Sequence, residues 1–153
     1  MKKLLFICLF FTLALPLSVL ADSSLYLDPT EGTYPIGTSF SVAVKVNTGG
    51  SAVNVAQGTI IFNNNILAVT SLDTFSGDFT SCVGYDTNFS NATGIIRFVC
   101  GYISPGSPPN TGYTGTAGTV IKINFRGISL GEGRADFDTN NSHLPANGYY
   151  LCQ

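Results

Sequence analysis

The sequence predicts an all-β protein, a sandwich or barrel of many short strands. Three observations carry this. Apolar and polar residues alternate with a period of two over residues 40–46, 95–100 and 119–126, which is the pattern of strands with one face buried. The 17 glycines and 7 prolines fall between such runs, where they mark turns. Sustained helical spacing is absent throughout, so short strands with glycine-rich turns are the consistent assignment.

The chain opens with Lys2 and Lys3, an almost wholly apolar run over residues 4–15, and Val19-Leu20-Ala21. Positive start, short apolar core and small-residue end make a secretory signal with expected cleavage after Ala21. An uncleaved anchor is the alternative, but the run is short for a span of about 20 residues. The mature domain is then 22–153, and no second long apolar segment predicts a membrane contact. Export is expected to leave it extracellular or in the cell envelope.

Seven bases face nine acids, and two of the bases are Lys2 and Lys3. The mature domain is therefore acidic and poor in cations, which argues against nucleic acid as a partner. Three cysteines survive cleavage, Cys82, Cys100 and Cys152, and export permits a disulfide. Cys82 and Cys100 flank Asn91-Ala92-Thr93-Gly94 almost symmetrically, as facing positions of a hairpin would. Pairing of either with Cys152, or no bridge, are the alternatives. A bridge at the hairpin leaves Cys152 free or available to another chain. Neither a CxxC pair nor a histidine cluster accompanies the cysteines, so no metal site is expected.

In chain order, Ser24-Leu25-Tyr26-Leu27 is a short strand closed by Asp28-Pro29-Thr30-Glu31-Gly32. Phe40, Val42, Val44 and Val46 form the buried side of the next strand, and Asn47-Thr48-Gly49-Gly50 ends it. Residues 56–62 are rich in β-branched and aromatic types, as a pleated, half-buried surface requires. Asn63-Asn64-Asn65 makes a polar corner, after which Ile66 and Leu67 return to the core and a strand continues to Leu72. Residues 79–85 and 95–102 are the two arms of a hairpin, with Ile96, Phe98 and Cys100 inward and Ile95, Arg97 and Val99 outward. Residues 104–118 form a loop. Ile121, Ile123 and Phe125 then point inward and Lys122, Asn124 and Arg126 outward, and a last strand occupies 134–138.

The order of these pieces resembles the cohesin family, secreted modules that capture dockerins in cellulosome-type assemblies. The resemblance runs through Pro35-Ile36-Gly37-Thr38-Ser39-Phe40-Ser41-Val42, Val53-Asn54, Gly58-Thr59-Ile60-Ile61-Phe62-Asn63 and Ile66-Leu67-Ala68-Val69. It continues through Ile95-Ile96-Arg97-Phe98 and residues 118–126, so it spans most of the mature chain. It implies a two-sheet β-sandwich of jelly-roll topology with about nine strands, related to certain cellulose-binding modules. Asn63-Asn64 stands where the family usually has Asp-Pro, which removes one carboxylate near the partner contact.

No catalytic set is evident. His143 is the only histidine and lies in a polar segment. Asp136 and Asp138 share a strand face, where solvated charge is the expectation rather than the cleft a paired-carboxylate hydrolase needs. No GxSxG turn or phosphate-cradling loop occurs. A non-catalytic binding module without cofactor is the reading. In the family layout the third, fifth, sixth and eighth strands share a sheet, and the alternation then projects Thr59, Ile61, Asn63, Arg97, Val99, Lys122, Asn124 and Arg126 from one outer face. Exposed aliphatics among orienting polar groups suit a protein partner, and the resemblance implies a dockerin-like module. A solvated sheet face with scattered apolar residues is the plainer account of the same pattern.

Polysaccharide is the second partner class, with Tyr85, Tyr102, Tyr113, Tyr149 and Tyr150 as stacking rings. A structural envelope or adhesion subunit joined through Cys152 or a sheet edge is the third reading. Asn88, Asn91 and Asn140 begin glycosylation-acceptor triplets.

Overall fold

The computed structural model describes residues 23–103, 111–138 and, for the backbone alone, 148–152. The signal segment, His143, Asn140 and the 104–110 stretch lie outside the described residues, as do the side chains of Tyr149, Tyr150 and Cys152. Within the described residues there are eleven strands and no helix. They are β1 Ser24–Asp28, β2 Glu31–Tyr34, β3 Ser39–Asn47, β4 Val55–Phe62, β5 Leu67–Asp73 and β6 Ser81–Cys82. There follow β7 Asn88–Ser90, β8 Ile95–Gly101, β9 Gly118–Gly127, β10 Gly131–Phe137 and β11 Gly148–Cys152.

One sheet has the order β1-β3-β9-β5; the other runs β2-β11-β10-β4-β8-β6, with β7 also on β8. The only parallel pair among the described strands is β11 with β2. The expected two-sheet sandwich is present. Strands β1 and β2 are separate because the chain leaves the first sheet at Asp28 and enters the second at Glu31. Composition hid that crossing, since Pro29, Gly32 and Pro35 read as turn residues.

The alternation decides what is inside. Phe40, Val42, Val44 and Val46 of β3 and Ile121, Ile123 and Phe125 of β9 are buried from one sheet. Ala56, Ile60 and Phe62 of β4 and Ile96, Phe98 and Cys100 of β8 meet them from the other. Phe125 joins the layers, with its ring edge-on to Phe62 at 5.7 Å and stacked on Phe40 at 5.8 Å. Each such ring pair contributes about 0.5–1.5 kcal/mol beyond the area it buries. Val120 is buried beside Ile121 because the β3–β9 register shifts between Val44 and Lys45, and such a bulge leaves one residue unpaired.

The corner after β4 changes sheets. The Asn63 carbonyl accepts from Ile66 N (3.1 Å) and Leu67 N (2.9 Å), and its Oδ1 accepts from Asn65 N (3.1 Å). Leu67 then starts β5 in the opposite layer, fully buried. Asparagine suits the position because its side chain replaces a backbone acceptor in the turn.

The hairpin keeps its register but not its simple form. Cys82 faces Cys100 and Asn88 faces Arg97. From Cys82 to Asn88 is six residues, whereas β8 covers the same interval in three. The surplus forms a turn over residues 83–87, so the expected 79–85 arm is replaced by the short strands β6 and β7. A disulfide joins Cys82 to Cys100, closing a sequence separation of 18 residues.

Candidate functional site

The outer face of the β10–β4–β8 sheet is built by the residues the core rejects. Along β4 the outward positions are Val55, Gln57, Thr59 and Ile61; along β8 they are Ile95, Arg97 and Val99. Thr59 faces Arg97, which in turn faces Asn88 on β7. Ile61 lies between Ile95 of β8 and Asp136 of β10, and Gln57 faces Val99. Ile61 is 48% and Val55 55% exposed. Two large aliphatics, at opposite ends of β4, are thus open to water on this face.

An open depression of about 180 Å³ lies on this face, lined by Gln57, Gly58, Thr59, Asp86, Arg97, Phe98 and Val99. Gly58 lies on the inward side of β4 beneath the depression, where a Cβ would come within 2.8 Å of the buried Phe98 ring. Arg97 and Asp86 border the depression with opposite charges. Neither has an ion-pair partner among the described residues, where the pairs are Lys45 with Asp28 and Arg134 with Glu132. Two unneutralised charges of opposite sign beside exposed aliphatics can orient a partner that carries the reverse pattern.

Of the eight residues expected on one face, Thr59, Ile61, Arg97 and Val99 are brought together here. Asn63 is exposed at the end of β4, where its backbone and side chain shape the corner. Lys122, Asn124 and Arg126 are not on this face. They project from β9, which pairs with β3 and β5 in the opposite sheet. The expectation of a single eight-residue face is therefore corrected: alternation fixes in against out, but it does not say which layer a strand joins. The neighbour of β4 on that side is β10, so Glu132, Arg134 and Asp136 share the face. Their alternation with Gly133, Ala135 and Phe137 was visible in the sequence, but their sheet was not.

The opposite face is polar and largely self-paired. Lys45 pairs with Asp28, and the hydrogen bond that its ammonium donates to that carboxylate, ahead of the carboxylate's charge, holds the Lys45 pKa above its ordinary value. Asn124 Nδ2 donates to Ser71 Oγ at 2.9 Å. Asp73 accepts from the Ser76 hydroxyl and, at 3.0 Å in both cases, from the amides of Phe75 and Ser76; these bonds, with Lys122 nearby, lower its pKa.

The tyrosines expected as sugar platforms do not gather. Tyr102 and Tyr113 are partly buried against Phe79, with ring centroids 5.7–5.8 Å apart, while Tyr85 is 82% exposed on the 83–87 turn. Asn91, one of the acceptor triplets, already uses its amide nitrogen to donate to the Val69 carbonyl. Among the described residues no three His, Cys, Asp or Glu side chains gather to hold a metal ion, and no helix is long and apolar enough to cross a membrane.

Compared by sequence, the chain matches no protein-family model and no curated protein. Compared by structure, it is similar to several solved cohesin modules. A type I cohesin–dockerin complex from Clostridium thermocellum contains a chain that is 14% identical, with a TM-score of 0.61 over 87% of this chain and 100% of that one. The sixth cohesin of scaffoldin B from Acetivibrio cellulolyticus, solved with a dockerin, is 18% identical, with a TM-score of 0.58 over 87% of this chain and 100% of its own. The cohesin module of a family 33 glycoside hydrolase from Clostridium perfringens is 11% identical, with a TM-score of 0.57 over 86% and 96%. The described strands, their two layers and these likenesses agree: this chain has the cohesin fold.

Proposed function

We propose that the domain is an exported, non-catalytic binding module that docks a dockerin-like helical protein with the outer face of β10, β4 and β8. The observation that carries this is the exposure of Ile61 on β4, on the same face as Arg97, a cation with no ion-pair partner among the described residues. Desolvating such an aliphatic supplies affinity, and the flanking charges set orientation. Thr59 and Val99 complete the centre of the contact; Glu132, Arg134 and Asp136 form its polar rim on β10. Similar chains were solved in complex with dockerins, which makes a compact helical module the leading partner class. Assembly around polysaccharide-degrading enzymes is the corresponding setting. The 22–153 domain acts after signal cleavage, outside the cell or in its envelope.

The test presents the immobilised mature domain to type I dockerin modules from Clostridium thermocellum and Acetivibrio cellulolyticus. Binding that Ile61→Asp abolishes in a folded protein supports the reading. Binding to no dockerin, or binding indifferent to Ile61→Asp, overturns it.

A further inference from the structure

The turn over residues 83–87 carries groups to the rim of the depression that regular strand pairing would not place there. It is the three-residue surplus of the β6–β7 arm over β8, and it is held from both sides. At one end the Cys82–Cys100 disulfide fixes it to β8. At the other, β7 resumes pairing through Asn88, Phe89 and Ser90. In between, Val99 serves as its anchor: its carbonyl accepts from Val83 N (3.0 Å) and Thr87 Oγ1 (3.3 Å), and its amide donates to Thr87 Oγ1 (3.1 Å). Within the turn, Thr87 N and Asp86 N donate to the Val83 carbonyl at 2.8 and 3.1 Å, and Asn88 Nδ2 donates to the Tyr85 carbonyl at 2.6 Å.

This much fastening leaves the tip polar and open. Asp86 lines the depression with Arg97, and its carboxylate has no ion-pair partner among the described residues. Its neighbour Tyr85 is 82% exposed. An anchored turn that holds an unpaired carboxylate and an exposed aromatic ring pays its ordering entropy on folding rather than on binding, which is how preorganisation raises affinity.

We propose that the 83–87 turn is a partner-reading element of the docking face. Asp86 is its specificity-determining residue, selecting a helical partner that places a lysine or arginine against it. The Cys82–Cys100 bridge and Thr87 are positioning residues. This rests on the docking function proposed above and deepens it: Arg97 and Asp86 together demand an acid and a base on the partner, in that order across the depression.

Hydrogen exchange on the mature domain tests the positioning. In Cys82→Ala/Cys100→Ala, exchange at Val83, Asp86, Thr87 and Val99 should quicken about tenfold or more while β3 and β9 stay protected. Thr87→Val, with the disulfide intact, should move the same amides and serves if the cysteine variant does not fold. Unchanged protection of the turn in either folded variant overturns the positioning roles. Binding to the dockerin modules named above tests the reading role. Asp86→Lys should weaken it by about tenfold, and the loss should shrink at high salt. If Ile61→Asp abolishes binding while Asp86→Lys leaves it within about twofold, the turn proposal falls and the docking face stands. If the unaltered domain binds no dockerin, both fall together.

Discussion

The side-chain amide of Asn91 takes both backbone polar groups of Val69: Val69 N donates to Asn91 Oδ1 at 2.8 Å and Asn91 Nδ2 donates to the Val69 carbonyl at 2.9 Å. Asn91 sits in the turn between β7 and β8, and Val69 is on β5, the edge strand of the other sheet. One carboxamide therefore does what a neighbouring strand would do, and it fastens the two layers at that edge. Edge strands otherwise leave such groups open to pairing with another chain.

Replacing Asn91 by alanine should destabilise the domain by about 1–3 kcal/mol, because it strands a donor and an acceptor beside the buried Val69. Asn91→Asp is the sharper variant. Near neutral pH it sets a carboxylate against the Val69 carbonyl; protonation restores a donor. Its deficit relative to the parent should therefore shrink in acid, as denaturant titrations at pH 7 and pH 4 would record.

Gly94 closes the same turn with φ +66°, and a Cβ there would stand 2.4 Å from the Phe62 carbonyl oxygen. That oxygen belongs to backbone and cannot swing aside. Gly94→Ala should cost about 1–3 kcal/mol or more from conformation and contact together. The loss should appear in the denaturation midpoint with the slope unchanged.

The inward residues of β3, β8 and β9 were legible because a period of two fixes a side chain's face. Phe98 and Ile123 had nowhere to go but the core, and Arg97 had to face water. Layer membership was not legible in the same way. Lys122 and Arg97 both point outward, yet they stand on opposite sides of the molecule, since the jelly-roll connections that separate β8 from β9 leave no mark on local composition. Strand β2 was hidden for another reason: Gly32 and the flanking prolines read as turn residues although Glu31–Tyr34 pairs with β11. The 83–87 turn escaped because near-symmetry of Cys82 and Cys100 about Asn91 suggested equal arms, and no residue type announces a three-residue surplus.

The opposite placement of Lys122 and Arg97 gives a discriminating pair of variants. Lys122→Glu/Arg126→Glu alters only the β1–β3–β9–β5 face and should leave dockerin capture within about twofold, since distant sites act independently. Arg97→Glu reverses a charge at the centre of the proposed contact and should weaken capture by about tenfold or more. The reverse result in surface-binding measurements would move the docking face to the other sheet.

Asp73 gives the domain a pH-dependent contribution of definite sign. The Ser76 hydroxyl first, then the amides of Phe75 and Ser76, and lastly the charge of Lys122 hold its carboxyl below the usual carboxylate range. All of these favour the ionised form. In the unfolded chain Asp73 titrates near about 3.9, so the unfolded state takes up its proton first as pH falls. The stabilisation is thus fully present above that value and is lost as pH drops toward the lower native pKa. Because the group is partly open to solvent, the effect is modest and salt-sensitive. Asp73→Asn removes the titration, so the difference in stability between parent and variant should be constant from pH 8 to 5 and narrow below about pH 4. A difference that instead widened in acid would show that these bonds do not favour the carboxylate.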